Sequence, residues 1–122
     1  MKTSKKQFGE FCQEFRKWQE YFGLMEWEVT LKHRFVEGGT AECTWNIEGK
    51  NSTVSLSTQI DREEKVGLSA FHEAAELWLV PLRYLARARF VDPDTMAQEF
   101  HAIIRFLENR LYPLVKEGVN KK

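Results

Sequence analysis

Along this chain of 122 residues the hydrophobic period changes from 3.6 to 2 and back to 3.6, which restricts the fold to helices flanking a small sheet. From Ser4 to Phe22 apolar residues recur at Phe8, Phe11, Cys12, Phe15, Trp18 and Phe22, with Lys5, Lys6, Glu10, Glu14 and Lys17 between them. This spacing predicts an amphipathic helix that buries its aromatic stripe and ends at Gly23. Trp27, Val29, Leu31, His33 and Phe35 then alternate with Glu28, Thr30, Lys32 and Arg34, the pattern of a strand with one buried face. On that face His33 is expected as a packed, hydrogen-bonded histidine. Ala41, Cys43, Trp45 and Ile47 alternate in a second strand, and Val54, Leu56 and Thr58 in a third. Gly38-Gly39 and Glu48-Gly49-Lys50-Asn51 separate them. Connections this short predict a three-stranded antiparallel meander. Its last strand, at Ser57 and Thr58, would then offer edge backbone groups to an extended substrate.

The helical period returns at Asp61 and Glu64, which have the spacing of a capping box. The helix they open is expected to reach Val80, break at Pro81, and continue as a second piece over Leu82 to Phe90. Asp92-Pro93 is an N-cap followed by proline at the first helical position, and it opens a last helix through Met96, Phe100, Ile103, Leu107 and Leu111. Gly118 and the terminal lysines read as a frayed tail over 117–122. The expected architecture is an α+β fold in one domain spanning 1–122.

A hydrophobic content of 43% with 13% aromatics suffices for one core. Eighteen basic residues balance eighteen acidic ones, so no global charge marks a protein built to hold nucleic acid or an anionic membrane. No segment approaches a membrane span of about 18 apolar residues, and no apolar leader stands at the start. The expected location is cytoplasmic. Cys12 and Cys43 belong to no CxxC pair and are expected as free thiols.

Within the second helical stretch, the one expected to reach Val80, lies His72-Glu73-Ala74-Ala75-Glu76. His72 and Glu76, at i and i+4, share one helix face, so an imidazole and a carboxylate can converge on one metal ion. Glu73 stands where the HExxH zinc helix carries its general base. His101, on the border of the last helix's apolar stripe, is the expected third ligand, provided that packing of that helix delivers its ring inward. The set of two histidines and one glutamate is the inventory of thermolysin-type sites in a different order, and it leaves one coordination position for water. Zinc is the expected metal, although two histidines and a carboxylate also suit other divalent ions.

The runs AFHEAAELWLVPLRYLARAR and EFHAIIRFLENRLYP, with KKQFGEFCQEFRKWQEYFGLMEWEV near the start, resemble a family of small phage and prophage proteins described as metallopeptidases with a minimal zincin-like fold. The resemblance spans nearly the whole chain. It implies His72, Glu76 and His101 as metal ligands and Glu73 as base. It also implies a small sheet beside the metal cleft with the motif helix beneath it, and the host cytoplasm as the location if the chain is phage-encoded.

Two functions follow as expectations. One is a zinc-dependent peptidase or amide hydrolase, with Tyr84, Tyr112, Arg83 and His33 as candidate oxyanion stabilisers. The other is a catalytically silent zincin-like phage protein that binds a host protein; a Glu73 neutralised by an arginine would favour it. Arg83, Arg87 and Arg89 are expected to form a solvated face rather than a nucleic-acid surface.

Overall fold

In the computed structural model the first helix, α1 (Lys5–Tyr21), begins at a capping box: the Gln7 N–H donates to Ser4 Oγ at 3.1 Å and the Ser4 N–H to Gln7 Oε1 at 2.7 Å. Phe11 and Phe15 of the predicted stripe are fully buried. The helix ends in a Schellman turn, with Gly23 at φ 72°, the Leu24 N–H donating to Gln19 O at 2.9 Å and the Gly23 N–H to Glu20 O at 3.0 Å. Gln19 lies on the buried stripe and was not signalled by the aromatic pattern. Its Nε2 donates to Leu24 O and Trp27 O at 3.0 and 3.2 Å, while Arg16 Nη1 donates to its Oε1 at 2.9 Å. One buried amide thus ties the helix end to the start of the sheet.

The structure describes residues 1–60, 65–88 and 90–120, the last six by backbone alone, and these fall into two compact units, Met1–Val80 and Pro81–Lys122. In the first unit β1 (Glu28–His33), β2 (Ala41–Asn46) and β3 (Asn51–Leu56) form a sheet in the order β1-β3-β2. The α+β class and the element order are as expected, but the sheet is mixed rather than an antiparallel meander. β2 and β3 pair antiparallel, whereas β1 runs parallel to β3. Residues 34–40 pass around the end of β3 instead of turning back beside β1. They need to cover two strand spacings, about 10 Å, which is well within the reach of seven residues. Their backbone groups are satisfied on the way: Arg34 N–H donates to Leu56 O, Thr58 N–H to Arg34 O, Ser57 N–H to Thr40 O, and Val36 N–H to Ser57 Oγ.

β3 is therefore the inner strand, and its serines let it be buried on both faces. Ser55 Oγ accepts from Arg34 Nε at 2.9 Å and Ser52 Oγ donates to Thr44 O at 2.6 Å. Ser57 and Thr58 are not a free edge, since Thr3 Oγ1 donates to Ser57 O and the Thr3 N–H to Thr58 O. The hydroxyl proton of Thr3 is spent on that carbonyl, so His33 Nε2, 2.7 Å from Thr3 Oγ1, must be the donor of their bond. Its ring stacks on Phe8 with centroids 5.0 Å apart. His33 is thus the packed, hydrogen-bonded histidine expected. The edge strands of the sheet are β1 and β2.

α2 (Val66–Trp78) packs on α1 and β2 through Val66, Ala70, Glu73, Ala74 and Leu77. Asp61 and Glu64, the expected capping pair, lie outside the described residues, and Lys65 at the N-cap makes no side-chain cap. Phe22 stacks on Trp78 at 4.9 Å and Trp18 meets Phe71 edge-on at 4.8 Å, closing the α1–α2 seam. α2 stops at Trp78 and α3 (Val80–Arg87) starts with Pro81 in its first turn, where a missing N–H is tolerated.

In the second unit α3 ends at Arg87, short of Phe90, and α4 spans Pro93–Asn120. Asp92 caps α4 by accepting the Asp94 N–H at 3.1 Å. The helix continues through Pro113, which removes a single backbone donor, and keeps a helical backbone over 117–120 where a frayed tail was expected. Arg89, Lys121 and Lys122 lie outside the described residues. No described helix is long and apolar enough to cross a membrane.

Candidate metal centre

α2 carries the three groups of the site at i, i+1 and i+4, and burial separates their roles. Glu73 falls on the buried stripe with Ala70 and Ala74, both fully inaccessible; these small side chains let the helix backbone approach the sheet closely. Its neighbours on the flank stay open, with the His72 side chain 68% exposed and that of Glu76 39% exposed. One ligand atom from each of His72, Glu73 and Glu76 lies within 4.8 Å of the others. His72 Nε2 stands 3.7 Å from Glu76 Oε1.

Glu73 is only 5% exposed, and its Oε2 is fully buried with no hydrogen-bond partner among the described residues. An orphaned acceptor of this kind is costly, by about 1–3 kcal/mol or more for a group that can ionise. Burial pushes its carboxyl up to about 8, helped by a side-chain hydrogen bond with Glu76 and by the charges of Glu76 and Glu42. Glu73 thus holds its proton with a second carboxyl group, Glu76, beside it. A divalent cation supplies at the same place the positive charge that this proton supplies, and the nitrogen and oxygen donors suit zinc. The residues present therefore fit a metal ion.

A cleft of about 300 Å³ opens beside these groups, lined by Thr40, Ala41, Leu68, Ser69, His72 and Glu73. It lies between the first turns of α2 and the start of the edge strand β2. Cys43, on β2, carries a thiol pushed up to about 11 by burial, and by Glu73, Glu76 and Glu42, against the lowering effect of its bond to Ser52. Both cysteines are free, as expected, with Cys43 buried and Cys12 half-buried.

The structure brings together three of the four predicted site residues, His72, Glu73 and Glu76, within the first unit. His101 is an exposed residue of α4 in the second unit. Among the candidate oxyanion stabilisers His33 is engaged with Thr3, and Arg83, Tyr84 and Tyr112 belong to the second unit. Sequence reasoning missed Glu42 and Cys43. Alternation assigns them to opposite faces of a strand, and only the strand order puts that strand beside α2. Glu42 is held by Arg34, whose Nη2 donates to its Oε1 at 2.8 Å.

No protein-family model matches this chain, and no curated protein or solved structure matches it.

Proposed function

We propose that this chain is a zinc-dependent hydrolase of peptide or related amide bonds, with His72 and Glu76 as metal ligands and Glu73 as general base. The observation that carries the reading is the buried Oε2 of Glu73, without a partner among the described residues, at a cleft that His72 also lines, with a Glu76 carboxylate oxygen within 4.8 Å of both. Bound there, zinc supplies Lewis acidity that polarises a carbonyl and acidifies water. Glu73, on the wall of the cleft, accepts a proton from the attacking water and delivers it to the leaving nitrogen. Its burial limits competing solvent.

Substrate positioning falls to the edge strand. Because the Ser57 N–H donates to Thr40 O, residues 40 and 42 pair inward and Ala41 turns its backbone groups to the outer edge, at the cleft. An extended chain can pair there by strand addition. The alternative, a silent module that binds a host protein, calls for a Glu73 neutralised by an arginine. Among the described residues the charges acting on Glu73 are instead those of Glu76 and Glu42, which favours the hydrolase. His101 keeps its role as expected third ligand from the sequence, and a phage origin with a host-cytoplasm location belongs to the same proposal.

The test is zinc content of protein purified without added metal, together with hydrolysis of a mixed peptide library. His72→Ala should lose zinc, whereas Glu73→Gln should retain it and lose hydrolysis, because the amide keeps the shape but accepts no proton. His101→Ala should lower zinc affinity if His101 is a ligand. Equal zinc loss in His72→Ala and Glu73→Gln would make Glu73 a ligand, and zinc-loaded protein without hydrolysis would favour the binding module.

A further inference from the structure

The last helix carries an apolar seam that the metal centre does not use. Ala97, Phe100, Ile104, Leu107, Leu111 and Leu114 follow one another at alternating intervals of three and four residues. Phe100, Ile104, Leu107, Leu111 and Leu114 are 50%, 47%, 39%, 49% and 57% exposed, whereas Met96, Ile103 and Phe106 on the neighbouring stripe are half-buried. A seven-residue repeat drifts around a straight helix and stays in line only when two helices supercoil about each other. We propose that α4 pairs with α4 of a second copy of this chain, as an antiparallel two-helix coiled coil centred between Arg105 and Phe106.

Self-complementarity selects that occupant and that direction. In this register Ala97 faces Leu114 of the second copy, Phe100 faces Leu111, and Ile104 faces Leu107, so small meets large and every layer is filled. A parallel pair would set Ala97 on Ala97 and Phe100 on Phe100, leaving one layer empty and crowding the next. The flanks agree. The antiparallel register puts His101 beside Glu108 of the second copy at both ends, whereas the parallel one puts Glu108 beside Ile103. The exposed seam amounts to roughly 400 Å², the size at which apolar patches mark interaction surfaces. Joined to its copy, with the flanking side chains, it buries on the order of 1,000 Å², the threshold of a specific interface.

Sedimentation of the full chain, stripped of metal with chelator so that the outcome is independent of the hydrolase reading, tests the pairing. The expected result is a dimer that dissociates on dilution through the micromolar range. Leu107→Glu places two carboxylates in the central layers and should weaken it at least ~100-fold. Should that variant fail to fold, cysteine cross-linking decides. Phe100→Cys with Leu111→Cys in one chain should form an interchain disulfide that neither the parent nor Phe100→Cys alone forms. A parent that stays monomeric at its solubility limit, a folded Leu107→Glu that stays dimeric, or cross-linking by Phe100→Cys alone would each overturn the proposal.

Discussion

At the scale of single residues Glu73 does the opposite of what a surface glutamate does for stability. Its carboxyl is raised from 4.5 to about 8 in the fold, chiefly by burial. Between those values the unfolded chain has released its proton while the folded one still holds it, so the metal-free fold loses stability as pH rises from about 5 to 8. Glu73→Gln removes that loss. We expect its stability advantage over the parent, measured by urea unfolding in chelator, to be smallest below pH 4.5 and to grow to a few kcal/mol by about pH 8. A constant difference across that range would mean that Glu73 titrates normally. Glu76 has a separate expected signature. A carboxylate ligand adds negative charge next to the metal and makes acidified water less acidic, so Glu76→His should retain zinc and shift the pH profile of hydrolysis downward. Chelator competition should show Glu76→Ala binding zinc more weakly than either; equal affinity in all three would remove Glu76 from the ligand set.

Elements are joined by buried polar groups as much as by the apolar stripes. Gln19 sits where α1 hands over to β1, its amide serving the carbonyls of Leu24 and Trp27 and accepting from Arg16. Gln19→Leu fills the same space with no donor or acceptor, removing the amide's bonds to Trp27 O and Arg16 and leaving Leu24 O with the Trp27 N–H alone. It should destabilise the fold by about 2–4 kcal/mol, measured as a lower urea midpoint at unchanged m-value. A loss below about 0.5 kcal/mol would show that water replaces the amide. The helical stripe of α1 was legible because Phe11 and Phe15 repeat at the helical period; Gln19 was not, since a polar residue on an apolar face gives no sign of its partners. β3 misled for a related reason. As the last strand of a meander it was expected to be an edge, yet it is the inner strand, and Ser52 and Ser55 are small enough to let it be packed on both sides.

For the whole molecule, ligand binding and folding are one equilibrium. Zinc that binds the folded site and not the unfolded chain should raise stability by about 2.7 kcal/mol at a free concentration of 100 times the dissociation constant. The parent's thermal midpoint should therefore rise with added zinc and fall with chelator, while that of His72→Ala should move with neither. A response of equal size in His72→Ala would place the metal elsewhere. The amino-acid sequence by itself determined the order of helices and strands, the joint at Pro81, the cap at Asp92, and the convergence of His72 and Glu76 on α2. All of these depend on residues within about a turn or a strand of one another, where period and backbone chemistry decide the outcome. Only tertiary structure decided that β1 lies parallel to β3, that β2 is the edge strand at the cleft, and that Glu73 is buried where the charge of Glu42 reaches it. Those facts follow from which elements become neighbours. Neighbour choice is set by the combined packing of distant segments and their shared hydrogen bonds, which no local spacing encodes.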